Sequence, residues 1–124
     1  MILKICPLVF ILLSASLSAA AADSTGKPAG ESFLEARKDM IRRGATPVDH
    51  LNRPGSTDVS SVDKMLLRSL MKAGIYELEA CNREAHQCSF IYYRSPCHYR
   101  LLTGDKGDVN HLRIVAEGGN VCPI

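Results

Sequence analysis

Upstream of Gly74, apolar residues recur at helical spacing; downstream of it they alternate with polar ones every second position. The change of period predicts helices first and a sheet afterwards. Ser32 with Glu35 three residues on forms a capping-box pattern and opens the first helix. Phe33, Ala36 and Met40, with Leu34 and Ile41 beside them, make its apolar stripe. Arg42 and Arg43 suit the negative end of the helix dipole, and Gly44 supplies the stop. Ala45 to Val48 can extend briefly, with Pro47 fitted only to an edge or to the first residue of a strand. After a loop turning at Pro54-Gly55, Ser60 or Ser61 caps a second helix. Val62, Met65, Leu66, Leu67, Leu70 and Met71 give it a wide apolar stripe, expected to press deeply onto the sheet, with both methionines as core filler.

Four strands follow. Tyr76 to Cys81 and Cys88 to Tyr93 flank the Asn82–Gln87 loop, Cys97 to Thr103 comes after a Ser95-Pro96 turn, and Val109 to Ala116 after a glycine-rich turn. With Cys81 opposite Cys88, Leu78 faces Ile91, Tyr76 faces Tyr93 and Ala80 faces Ser89 on the inner side. Glu77 and Glu79 then lie on the outer side with Phe90, Tyr92, Tyr99 and Leu101. The predicted fold is α+β: two helices on one face of a four-stranded antiparallel meander, closed by two disulfides.

The first 22 residues carry an address rather than a fold. A short positive start, an apolar run from Ile5 to Leu13 and the small residues Ser14 to Ala22 read as a signal peptide, cleaved after Ala20 or Ala22. The apolar run, roughly 10 residues against the ~20 needed to span a bilayer, predicts no membrane insertion once it is removed. Residues 23–30 read as a flexible lead-in and 31–124 as one small domain, periplasmic or secreted. Losing Cys6 with the leader leaves four cysteines, the parity of two bridges. Four cysteines allow three pairings; Cys81–Cys88 and Cys97–Cys122 suit the meander best. Their spacings contain neither a zinc knuckle nor a redox C-x-x-C.

From Asp23 onward the chain has 14 Lys and Arg against 13 Asp and Glu. Such near-neutrality argues against nucleic acid or an anionic surface as the main partner. His50, His86, His98 and His111 lack metal-ligand spacing, and His98 beside Cys97 points to the opposite face of a strand. No cofactor or metal is expected. Glu77 and Glu79, about 7 Å apart on one strand, could in principle form a two-carboxylate hydrolase site. The milder expectation is a docking surface built from Glu77, Glu79, Phe90, Tyr92 and Tyr99, with Arg83 and His86 from the loop. It would make the chain a small exported protein-binding module, an inhibitor, immunity-type or accessory protein of the envelope. The alternatives are a small hydrolase and a secreted effector. A pocket pairing a carboxylate with a histidine would favour the hydrolase, a flat aromatic sheet face the binding module.

The helix ending Arg42-Arg43-Gly44, the Thr46-Pro47-Val48 segment and the runs Gly74 to Cys81 and Cys88-Ser89-Phe90 resemble small exported bacterial proteins of uncharacterised families. Ala45 stands where those proteins often carry tryptophan. The resemblance implies an exported address and an α+β fold, and no activity.

Overall fold

The computed structural model describes residues 29–53, 55, 57–117 and 120–122. The leader and most of the lead-in lie outside the described residues. At the lead-in's end, the Gly30 amide donates to the Ile114 carbonyl at 2.6 Å.

Helix α1 spans Phe33–Arg42, with the Ser32 hydroxyl accepting from the Glu35 amide as the capping pattern predicts. Helix α2 spans Lys64–Ala73. Its cap is Asp63, whose Oδ2 accepts from the Leu66 amide at 3.1 Å, and not Ser60 or Ser61. Those serines belong to a 3-10 turn, Val59–Ser61, capped by Asp58. Gly74 ends α2 at φ +75°, a backbone state that costs glycine little.

The sheet has five antiparallel strands: β1 (Thr46–Pro47), β2 (Leu78–Asn82), β3 (Gln87–Arg94), β4 (Cys97–Gly104) and β5 (Ile114–Glu117). The order runs β1-β3-β4-β5, with β2 pairing the same edge of β3 as β1 and meeting its other half. The α+β class holds, with the extended segment at Pro47 adding an edge strand. Half of the fourth predicted strand does not form: Val109–His111 is a 3-10 turn. Asp108 accepts from the Asn110 amide at 2.8 Å, and the Ser69 hydroxyl takes the Val109 amide at 2.9 Å. Local side-chain acceptors win over a ladder there.

Both predicted disulfides are present, Cys81–Cys88 and Cys97–Cys122. The expected register holds at Cys81↔Cys88 and Ala80↔Ser89 but then breaks, because Leu78 faces Phe90 rather than Ile91. A bulge at Glu79 sets two residues of β2 against one of β3. The predicted faces of β3 are therefore inverted. Cys88, Phe90 and Tyr92 point into the core, with Phe90 and Tyr92 fully buried. Two aromatic rings and a half-cystine remove more apolar surface from water than Ser89, Ile91 and Tyr93 would, and the bulge lets Leu78 join them inside. Leu101, opposite Phe90, is buried; Tyr99, opposite Tyr92, is half-buried beneath the Arg94 guanidinium. None of these four supplies the expected outer aromatic patch.

The helices cover this inner face. Phe33 packs on Phe90 with ring centroids 4.4 Å apart, and Ala36, Met40, Leu66 and Leu70 complete the layer. Met65 and Met71 do not: they are 57% and 42% exposed. The α2 stripe is narrower than its sequence suggests, since Leu66 and Leu70, four residues apart, already fill the contact.

Candidate functional site

The bulge sends the two candidate carboxylates to different environments. Glu77 is only 1% exposed and lies on the helix side of the sheet. Its Oε2 accepts from Arg37 Nε of α1 and, at 2.7 Å, from the Tyr92 hydroxyl; Oε1 accepts from Arg37 Nη2 at 3.3 Å. Burial, reinforced by the neighbouring Glu77 charge, pushes the Tyr92 phenol well above its ordinary range. Burial alone would lower the Arg37 pKa, but the Glu77 hydrogen bond and charge outweigh it and leave it raised. This closed ionic cluster ties α1 to the sheet.

Glu79 faces the other way. Arg100 of β4 grips it bidentately, with both N–H···O distances 2.8 Å, and the Ser89 hydroxyl donates to Oε1 at 3.0 Å. The Arg100 hydrogen bonds outweigh burial and hold the Glu79 carboxyl below the usual glutamate range. A carboxylate so held is a poor general acid. Its stabilisation is complete above the ordinary glutamate pKa and is lost as the pH falls through Glu79's own lower one. Glu79→Gln is accordingly expected to cost up to about 1 kcal/mol at neutral pH and almost nothing in acid. Urea midpoints of both proteins across that range check this: the gap between them closes on acidification.

Arg83 and His86 are brought to a concave site. They stand on the exposed tip between β2 and β3, and with Ser61, Val62, Asp63, Asp105 and Lys106 they line a cleft of about 350 Å³. Three local features fix the tip. Asn82 Oδ1 accepts from the amides of Glu84 and Ala85 at 3.0 and 3.2 Å, closing a turn. His86 takes φ +54°, and its Nδ1 lies 3.5 Å from Asp105 Oδ2. The Cys81–Cys88 bond closes the base of the loop. The far wall is equally anchored, because Asp63 Oδ2 also accepts from the Gly107 amide at 3.1 Å.

Asp105 and Lys106 are not legible as site residues in the sequence, because Gly104 to Asp108 reads as a plain turn. The usable signal was the density of charge in two turns, Arg83-Glu84 and Asp105-Lys106, that a meander places at the same end of the sheet. Phe90, Tyr92 and Glu77 are core residues, Tyr99 lies on the helix side and Glu79 is engaged by Arg100. Of the predicted site residues, Arg83 and His86 alone meet in the cleft.

No group of three or more His, Cys, Asp or Glu among the described residues is arranged to hold a metal ion. No helix among them is long and apolar enough to cross a membrane. Two disulfides are consistent with an extracellular or secreted protein. Comparison of the chain with protein-family models, with curated proteins and with solved structures finds no match.

Proposed function

We propose that this chain is a small exported protein-binding module that docks through the Asn82–Gln87 tip and its adjoining cleft. On this reading the leader ends after Ala20 or Ala22 and directs the domain to the periplasm or beyond. The observation that carries the proposal is the preorganisation of the tip. A disulfide closes its base, the Asn82 side chain holds its turn, and His86 reaches back to Asp105. A loop already held in one conformation loses little entropy on association, so its polar contacts convert into affinity. Arg83 and Lys106 offer charged donors at the rim, the residue class that steers and orients a partner.

One observation favours a second reading, a hydrolase using the cleft: it pairs a histidine with a carboxylate. Against it, the His86 side chain is 72% exposed and the Ser61 hydroxyl donates to the Asp58 carbonyl rather than to His86. A Glu77/Glu79 pair is supported even less, since the two face opposite sides of the sheet.

Capture from envelope extract tests the proposal, with Arg83→Ala/Lys106→Ala as the comparison bait. The expected result is a partner retained by the wild type and reduced at least tenfold with the variant, the two baits melting alike. A partner held equally by both would place the docking surface elsewhere. Turnover of a model substrate lost in His86→Ala would favour the hydrolase.

A further inference from the structure

The near-zero net charge conceals a division. Helices α1 and α2 together carry six Lys or Arg against two acids, four formal positive charges net. The remaining described residues carry seven against ten, three negative. Both helices pack on one face of the sheet; of the remaining residues Glu77, Asp63 and Arg43 also lie on that side, Glu77 buried against Arg37 and Asp63 capping α2, so the helix side stays net positive and the rest net negative.

The cations of the two helices are not equivalent. On α1, Lys38 pairs with Glu35 at 3.7 Å, and Arg42 and its neighbour Arg43 each reach Asp39 at 3.2 Å. The sequence of α2 holds no acid at all. Its Lys64, Arg68 and Lys72 are exposed, stand at successive four-residue steps and form no ion pair with any described residue. Four residues of helix rise about 6 Å, so the three charges lie in a line along the crest opposite the buried Leu66 and Leu70. At 100° per residue, Met71 falls on one side of that line and Met65 on the other. These are the two large apolar side chains of α2 that stand exposed.

We infer that the outer face of α2 is a docking surface for an anionic phospholipid bilayer, independent of the tip that meets the protein partner. Charge complementarity carries this assignment: an acid-free helix on a molecule whose other surfaces are net negative orients it helix-down on an anionic surface. The apolar contribution fits a fluid partner better than a folded one. Two flexible methionines stand apart on either side of the charges, rather than clustering as the anchor of a protein interface does. They insert shallowly beside headgroups while the cations meet the phosphates.

Each Lys or Arg near an anionic leaflet multiplies affinity about fivefold, so three give a preference of order a hundredfold over a neutral surface at low salt. Co-sedimentation of the disulfide-bonded chain with vesicles reads this directly. One set contains one-third phosphatidylglycerol in phosphatidylcholine, the other phosphatidylcholine alone; any contribution from the apolar Ile5 to Leu13 run is common to both. The expected result is at least tenfold stronger retention on the anionic vesicles, falling to the neutral level near 1 M salt, where screening shortens to about 3 Å. Lys64→Gln/Arg68→Gln/Lys72→Gln is expected to abolish the preference without lowering the melting temperature, while Lys64→Arg/Lys72→Arg retains it. Equal retention on both vesicles, or a preference surviving in the glutamine variant, would overturn the inference. So would binding to polyglutamate without vesicle preference, which would assign the face to an acidic protein.

Discussion

Reduction of both disulfides is expected to unfold the domain under conditions where the oxidised protein is fully native. Cys81–Cys88 and Cys97–Cys122 join residues 7 and 25 apart. On the chain-entropy estimate they contribute about 2.5 and about 3.5 kcal/mol by restricting the unfolded chain. A small domain has roughly 5–15 kcal/mol in all, so losing about 6 removes much or all of it. Circular dichroism and urea titration with and without reductant check this. The paired variants Cys97→Ala/Cys122→Ala and Cys81→Ala/Cys88→Ala should rank in that order, the longer loop costing more. A reduced protein that kept its urea midpoint would show that the core suffices without the bridges.

Glu77→Ala is expected to cost about 3–5 kcal/mol, whereas Glu79→Ala should cost about 1 kcal/mol or less. The asymmetry follows from the bulge. Removing the buried Glu77 strands the Arg37 guanidinium, whose side chain is 23% exposed, and leaves the Tyr92 hydroxyl without its acceptor in the core. Partial access of Arg37 to water places the loss toward the lower end of the range. Glu79 is a half-buried partner at the sheet surface, and water replaces it readily when it is removed. Urea unfolding of the two variants separates these outcomes. Equal costs would show that Glu77 is no more buried than Glu79 and restore the two-carboxylate site as a live reading.

Much of the fold was legible because it depends on local rules. The Ser32 cap, the Gly74 stop, the change of period and the pairing of Cys81 with Cys88 each follow from a few neighbouring residues. The faces of the sheet were not, because strict alternation from Cys81 back to Glu77 assumes an unbroken ladder. One extra residue at Glu79 lets Leu78 stay inside as expected while Ala80, Cys81 and all of β3 take the opposite faces, and nothing local in Leu78-Glu79-Ala80 announces a bulge. The composition of β3 itself carries the signal, since Cys88, Phe90 and Tyr92 outweigh Ser89, Ile91 and Tyr93 in apolar area. The Val109 turn was missed because its competing acceptor, Ser69, lies 40 residues away. Arg83 and His86 were found in the loop, but the Asp105-Lys106 wall that completes their cleft is a tertiary event.

Site-specific photo-crosslinking in living cells locates the partner proposed to dock on the tip between β2 and β3. A photoreactive residue at the exposed Ala85 reports on the tip, and one at Tyr93, 39% exposed, reports on the outer face of the sheet. A discrete protein adduct is expected from Ala85, disappearing in Arg83→Ala/Lys106→Ala, and none from Tyr93. An adduct from Tyr93 with none from Ala85 would contradict docking at the tip.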